Sequence, residues 1–420
     1  MQKLLFILLV VATSKNVVAQ QKLYSPVTTK KAKEERVKYL LDTTIKQYLQ
    51  EPLTEDNEGL WNDALWSLEL MQYKDSFTKL KMNEAWSKAQ KLTEYFQKNL
   101  LETTYSLYKT EFKTQVSQLM QTTKSVAVFL RCAEYVLRAD SINSKAKIAA
   151  LIKTKFPADK GIGLQILQSR LTAKKNTELP PLIDVFDKNF LKDQTVIYSL
   201  QRSSRDYAGL VIIRKADGSF VKDSTGDFFH AAQLARAITA YPFYITNGNT
   251  PQGILRWIGF DRSRLLYIGP TTNLQMVMPY ESKPATFFAD STMPNIPWQK
   301  EMYASMLPET WKNYEGIYES FYAGAMGRYD VIMHGTTIDP TFYKAQTYFP
   351  QTPSLGCLCS YEEWGEDGYR ISSNQQQIAD ALFSIGSNKG YVVVIDIDDK
   401  HAPVSINEVR DYINMAQNIE

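Results

Sequence analysis

The chain has 420 residues, 44% hydrophobic, 12% aromatic and 22% charged, a composition that builds buried cores and excludes a disordered or fibrous polymer. At about 150 residues per domain the length predicts two or three folding units. Lys and Arg number 48 against 45 Asp and Glu, and the resulting +3 is too small and too scattered for the basic stripe that nucleic-acid binding requires, so no nucleic-acid partner is expected.

The first residues predict an export signal. Lys3 supplies a positive start, Leu4 to Ala12 an apolar stretch, and Val17-Val18-Ala19 a small-residue cleavage site, so cleavage is expected after Ala19, with an uncleaved signal anchor as the alternative. That stretch is well short of the about 20 apolar residues that span a bilayer, and no later segment comes close to that length without a charge, so no stable transmembrane anchor is expected. The residue directly after the cut is Gln20 and not a Cys, which gives no indication of a lipoprotein anchor. The mature chain is expected to be exported, periplasmic or cell-wall-associated. Its cysteines, Cys132, Cys357 and Cys359, exclude a disulfide scaffold and leave at least one thiol without an internal partner.

Only three of the 19 glycines and five of the 17 prolines precede residue 200, so long helices are predicted in the first half and strands and loops in the second. Apolar residues recur at helical spacing in four stripes: Trp61, Ala64, Leu65, Leu68 and Met71; Ala85, Ala89, Leu92 and Phe96; Tyr105, Tyr108, Phe112, Val116 and Leu119; and Val126, Phe129, Leu130, Ala133 and Leu137. They predict a helical bundle over about 40–175, closed by Pro180-Pro181.

From Thr195 the period changes. Strands are predicted at 195–200, 210–214, 265–268, 274–278, 331–333 and 391–397, with Ala216-Asp217-Gly218 as a hairpin turn before Phe220-Val221. A helix over about 375–383 has Ser372 or Ser373 available as its cap. The organisation is therefore α+β: a signal peptide at 1–19, an all-helical domain at 20–190 and a mainly β domain with few helices at 191–420.

Few residues offer chemistry. The histidines are His230, His334 and His401. Neither they nor the cysteines cluster at metal-ligand spacing, so no metal or other cofactor is expected. His230, read as preceding a helical stretch, and His401, in an Asp-Asp-Lys-His turn, are taken as structural or solvent-facing. His334 ends the apolar run Val331-Ile332-Met333, at the mouth of a strand. Further along stands Pro353-Ser354-Leu355-Gly356-Cys357-Leu358-Cys359-Ser360, where a thiol beside glycine lets a substrate carbonyl approach the backbone and the N–H groups of Gly356 and Cys357 could converge on an oxyanion. A cysteine with a pKa near 8.5 is only a few per cent thiolate at neutral pH, and His334 is the candidate activator. The alternative is a pair of small buried residues in a Cys-x-Cys loop.

At these residues the chain resembles the L,D-transpeptidase (YkuD-like) catalytic domain. The family's signature corresponds to His334-Gly335-Thr336 followed by Ser354-Leu355-Gly356-Cys357-Leu358, and its Thr-Pro-x-Gly element to Thr250-Pro251-Gln252-Gly253. The resemblance covers about 195–400 and departs at position 359, commonly Arg or Asn in the family and Cys here, and in a longer segment between His334 and Cys357. It implies a peptidoglycan L,D-transpeptidase in which Cys357 attacks the carbonyl of the third stem residue of a tetrapeptide, His334 takes the thiol proton while the Gly335 carbonyl orients its ring, and the thioester passes to an amine of another stem. Ser354, Leu355, Thr336 and Tyr322 are the candidate substrate-binding residues, peptidoglycan stem peptides the expected partners, and a carbapenem adduct on the thiol an expected property. Three alternatives stay open: an L,D-carboxypeptidase using the same pair, a catalytically weak cell-wall-binding protein, and a caspase- or gingipain-like protease, which also places His-Gly after an apolar strand. Papain-like enzymes are excluded by the order of Cys and His.

Overall fold

The computed structural model describes residues 22–172 and 178–418; the predicted signal peptide lies outside them. Among the described residues no helix is long and apolar enough to cross a membrane. The architecture is mixed α and β, a helical N-terminal region followed by a large, mostly antiparallel sheet.

The helical region comprises α1 (Lys30–Lys38), which continues into a wider-wound turn at Tyr39–Gln47, then α2 (Glu58–Met71), α3 (Ser76–Lys88), α4 (Glu94–Leu107), α5 (Lys113–Thr122), α6 (Val126–Ala139), α7 (Ser141–Lys155) and α8 (Ile162–Thr172). The first and fourth stripes each lie on one helix, α2 and α6. The other two stripes each cross a helix boundary. The run Ala85 to Phe96 breaks because the Thr93 hydroxyl accepts the Phe96 N–H at 3.2 Å and caps α4. The run Tyr105 to Leu119 breaks between α4 and α5, where Tyr108 and Phe112 sit in the connection yet remain in the shared core. Burial preserved the apolar spacing through both turns, so periodicity alone overstated helix length.

The remaining elements are α9 (Leu182–Phe186), β1 (Val196–Arg202), β2 (Gly209–Arg214), β3 (Ala231–Gln233), β4 (Gly253–Arg262), β5 (Thr272–Val277), α10 (Pro284–Phe288), α11 (Lys300–Ala304), α12 (Glu319–Ala325), β6 (Met333–His334), β7 (Leu358–Cys359), β8 (Glu362–Trp364), β9 (Arg370–Ser373), α13 (Asn374–Ser384), β10 (Gly390–Asp398) and α14 (Arg410–Gln417). Eight strands form one sheet in the order β3-β2-β1-β10-β4-β5-β6-β7, in which β1–β10 and β6–β7 are parallel. The sheet curls until its edges meet: Leu234, just past β3, exchanges both backbone hydrogen bonds with Cys359 on β7, at 2.8 and 2.9 Å. Central β1 and β10 are buried on both faces, which explains the unbroken apolar run Tyr391 to Ile395. One face packs on α13, capped by Ser373, and the other on α9 and α14.

Three expectations are corrected. Residues 265–268 form a turn between β4 and β5 instead of a strand, because their apolar side chains line a cavity rather than a ladder. His230 precedes strand β3, not a helix. The boundary at 190 falls too late: Leu182, Val185, Phe186 and Phe190 are buried in the core of the sheet.

The two regions also share a core. Tyr241, Tyr244 and Ile245, all from the loop between β3 and β4, are buried among the helices. The Tyr241 ring stacks on Tyr105 at 3.8 Å, and its hydroxyl donates to the Leu101 carbonyl at 3.2 Å. Asn247 Nδ2 donates to Glu102 at 3.1 Å, and Tyr343 donates to the Leu70 carbonyl at 2.9 Å.

Candidate active site

The parallel pair β6–β7 brings the two signature segments side by side, with Met333 opposite Leu358 and His334 opposite Cys359. The Leu358 N–H donates to the Ile332 carbonyl at 3.0 Å and the Ser360 N–H to the His334 carbonyl at 2.9 Å. Cys357 immediately precedes β7. Cys357 and His334 line one cavity of about 550 Å³. Most of its wall is apolar, from Ile238, Leu265, Leu266, Val331, Ile338 and Trp66, the last contributed by α2 of the helical region.

His334 is buried, and its Nδ1–H donates to the Gly335 carbonyl at 2.5 Å. A carbonyl only accepts, so the proton sits on Nδ1 and Nε2 keeps its lone pair. Burial pulls the imidazole below its ordinary pKa, with the Gly335 bond opposing. Gly335 has no room for a side chain: a Cβ there would lie 2.2 Å from the Glu362 carboxyl carbon. Glu362 is itself buried, accepts the Thr336 N–H at 3.0 Å and the Ser373 hydroxyl at 2.6 Å, and is raised to about 6 by burial.

The partly exposed Cys357 donates its S–H to the Asp330 carbonyl at 3.3 Å. Burial pushes this thiol up to about 11; the Ile332 N–H and the Arg328 guanidinium pull it down, and the Asp330 and Glu281 carboxylates push it further up. The resting pair is therefore a neutral thiol and a neutral imidazole. The turn before Cys357 is held from below. Gly356 has φ +110°, and a Cβ there would meet Arg328 Nη2 at 2.3 Å and the Gly248 carbonyl at 2.4 Å, so only glycine fits. Thr250, of the Thr-Pro-x-Gly element, donates its hydroxyl to the Gly356 carbonyl at 2.9 Å. Buried Arg328 donates to the carbonyls of Phe243, Asn249 (2.9 Å) and Gly248 (3.0 Å), and burial lowers its pKa to about 10.

Several predicted roles change. Ser354 and Leu355 do line the cavity, but the Ser354 hydroxyl donates to the Cys357 carbonyl at 2.9 Å and accepts the Gly356 N–H at 3.1 Å. The predicted oxyanion donor Gly356 is thus occupied within its own turn, while among the described residues the Cys357 N–H has no protein acceptor. Thr336 is buried outside the cavity, bound to Glu362 and the Tyr267 carbonyl. Tyr322, on α12, lines a separate cavity of about 320 Å³ and donates to Glu315, and it is not among the residues that line the cavity of Cys357. Cys359 is buried outside the cavity beside Thr352 at 3.8 Å, its thiol raised to about 12 by burial. Sequence reasoning missed Arg328, Asp330, Glu281 and Trp66, none of which sits in a motif; only the fold gathers them. Among the described residues no group of His, Cys, Asp and Glu is placed to hold a metal ion.

No family model, no curated protein and no solved structure matches the chain.

Proposed function

We propose that the protein is a cysteine acyltransferase of the L,D-transpeptidase type, acting on peptidoglycan stem peptides outside the cytoplasm. The observation that carries the reading is a thiol and a buried imidazole lining one cavity, the imidazole fixed in the tautomer that leaves Nε2 free to accept a proton. In the reaction the Cys357 thiol leaves the Asp330 carbonyl, its proton passes to His334 Nε2, and sulfur bonds to the donor's carbonyl carbon. The Cys357 N–H supports the developing oxyanion. Collapse breaks the peptide bond, and the proton on His334 leaves with the departing amine. His334 then takes a proton from the acceptor amine, which attacks the thioester and releases the thiol. The apolar wall supports transfer over hydrolysis, because water competing for the thioester is kept scarce.

The test is mass spectrometry after incubation with a disaccharide tetrapeptide and, separately, with a carbapenem. A cross-linked dimer and a carbapenem adduct on Cys357 support the reading. A tripeptide without dimer converts it to a carboxypeptidase, and no product with no adduct overturns it.

A further inference from the structure

Glu362, on β8, is buried and plays no part in the reaction written above, yet its carboxylate lies against the peptide unit that orients His334. That unit joins Gly335 to Thr336. Its carbonyl accepts the His334 Nδ1–H at 2.5 Å, and its N–H, at the opposite end of the same dipole, donates to Glu362 Oε2 at 3.0 Å. One peptide therefore stands between an imidazole and a carboxylate and is hydrogen-bonded to both. Gly335 makes this approach possible. It is not among the glycines with positive φ, so its backbone does not require glycine. What excludes a side chain is the carboxylate, because the nearest atoms a Cβ would meet are the carboxyl carbon and both oxygens of Glu362. The other carboxylate oxygen, Oε1, accepts the Ser373 hydroxyl at 2.6 Å and lies 3.8 Å from Arg370 on β9. Thr336 is held on its far side as well, its carbonyl accepting the Trp364 Nε1–H at 3.0 Å.

We propose that Glu362 is a positioning residue that acts through the Gly335–Thr336 peptide, holding the His334 ring and strengthening it as the acceptor of the Cys357 proton. The inference rests on the acyl-transfer reading and adds to it the group behind the imidazole. A neutral side chain would satisfy the Thr336 N–H, and burying a carboxylate for that purpose alone is costly. The charge does more. Hydrogen bonds in a chain polarise one another, so a carboxylate on the peptide N–H pushes electron density towards the Gly335 oxygen and strengthens its bond to the imidazole. Moving the thiol proton to Nε2 makes His334 an imidazolium in a site where burial already favours its neutral form. A negative charge one peptide away offsets that cost. With a pKa of about 6, Glu362 is ionised above neutral pH. The ionisable groups that face it are Arg370 and the buried Cys359 thiol.

The test titrates the His334 imidazole by NMR in the full-length protein carrying 13C-labelled histidine, the signal being assigned by its loss in His334→Asn, and measures kinetics on the disaccharide tetrapeptide above neutral pH. Glu362→Gln removes the charge and keeps the hydrogen bonds: its amide oxygen accepts the Thr336 N–H, and its NH2 donates to Ser373, whose hydroxyl has a lone pair to spare beside the one that takes the Gln376 N–H. Gly335→Ala is a second route, since its Cβ displaces the carboxylate instead of neutralising it. Ser373→Ala removes a partner of Glu362 and the cap of α13 but leaves the charge on the peptide. The His334 pKa should fall by about one pH unit in both E362Q and G335A. In E362Q kcat should drop about tenfold to a hundredfold with KM little changed, the range of a charge-assisted hydrogen bond. S373A should leave the His334 pKa and kcat nearly unchanged. A His334 pKa that does not move in E362Q overturns the inference, and should that variant not fold, the same result in G335A overturns it. An S373A that loses as much kcat as E362Q also overturns it, because Glu362 is then only a structural anchor. A wild type that forms no thioester overturns the acyl-transfer reading, and the histidine titrations still decide whether the Glu362 charge reaches His334.

Discussion

Removing the helical region should destroy the cavity that holds Cys357 and His334, even though both residues lie beyond Thr195. A fragment starting at residue 178 keeps α9 and the whole sheet. It exposes Tyr241, Tyr244 and Ile245, each buried among the helices in the full chain. Burying one such side chain contributes about 1.5–3 kcal/mol, so the loop between β3 and β4 loses about 5–9 kcal/mol of the stabilisation that fixes it, comparable to the 5–15 kcal/mol stability of a whole domain. That loop presents the Phe243, Gly248 and Asn249 carbonyls to Arg328, which in turn lies under Gly356. It also leads directly into Thr250, which holds the Gly356 carbonyl. Trp66 would be lost from the cavity wall as well. The fragment is therefore expected to aggregate, or to remain soluble with carbapenem acylation reduced by at least tenfold. Size-exclusion chromatography and intact-mass kinetics on both chains decide it: a monomeric fragment that acylates at the full-length rate would show that the shared core does not support the site.

Other perturbations probe separate parts of the arrangement. Cys357→Ala should abolish both the carbapenem adduct and dimer formation while unfolding within about 1 kcal/mol of the wild type, because a partly exposed sulfur contributes little packing; a denaturant titration and intact-mass measurement report both. Cys359→Ser should leave turnover largely intact but destabilise the fold by about 1–2 kcal/mol, since it places a hydroxyl where a buried thiol packs beside β7; complete loss of turnover would give Cys359 a chemical role. With the thiol raised to about 11, alkylation of Cys357 by iodoacetamide should climb steadily from pH 7 to 10, and a plateau near neutrality would instead reveal a thiolate–imidazolium ion pair. Glu319 and Asp396 are buried acids raised to about 7 and about 6, first by burial, with one guanidinium, Arg205, 2.7 Å from Asp396. Folded pKa values above the unfolded ones mean stability is fully present below about pH 4 and lost as pH rises through 6 to 7, so Glu319→Gln should gain stability relative to the wild type at pH 8 compared with pH 4.5 in parallel melts.

What the chain declares in its sequence follows how local the cause is. Tyr391 to Ile395 reads as a buried strand because both faces of β10 are covered, and Ser373 reads as a cap because its hydroxyl serves the Gln376 N–H three residues on, at 2.9 Å. The His334 and Cys357 segments stand out in the sequence because each sets its side chain beside a glycine within a short local run, and the structure places the two runs side by side. Leu265 to Ile268 misleads because an apolar run bordering a cavity has the same composition as a strand. Tyr322 misleads because proximity to the site is a property of topology, and α12 faces the smaller cavity. Arg328 and Asp330 carry no signal at all, since what makes each important is contact with segments 79 and 27 residues away.

The cation beside the thiol also bears on the departure at position 359. Where the resembling family commonly has Arg or Asn, this chain has a buried thiol that pairs through its backbone with Leu234 and closes the sheet. A guanidinium there would have to be buried among Thr352, Thr336 and Glu362, and a buried charge is costly unless it is fully hydrogen-bonded. Arg328 meets that requirement from another element: its partners are three backbone carbonyls, it lies within contact of Gly356, and its charge lowers the thiol pKa. The positive charge beside the Cys357 thiol thus comes from the loop before β6 instead of the strand after Cys357. Because the carbonyls that hold it belong to a loop cored in the helical region, the electrostatics of the thiol and the packing of the two regions depend on the same few residues.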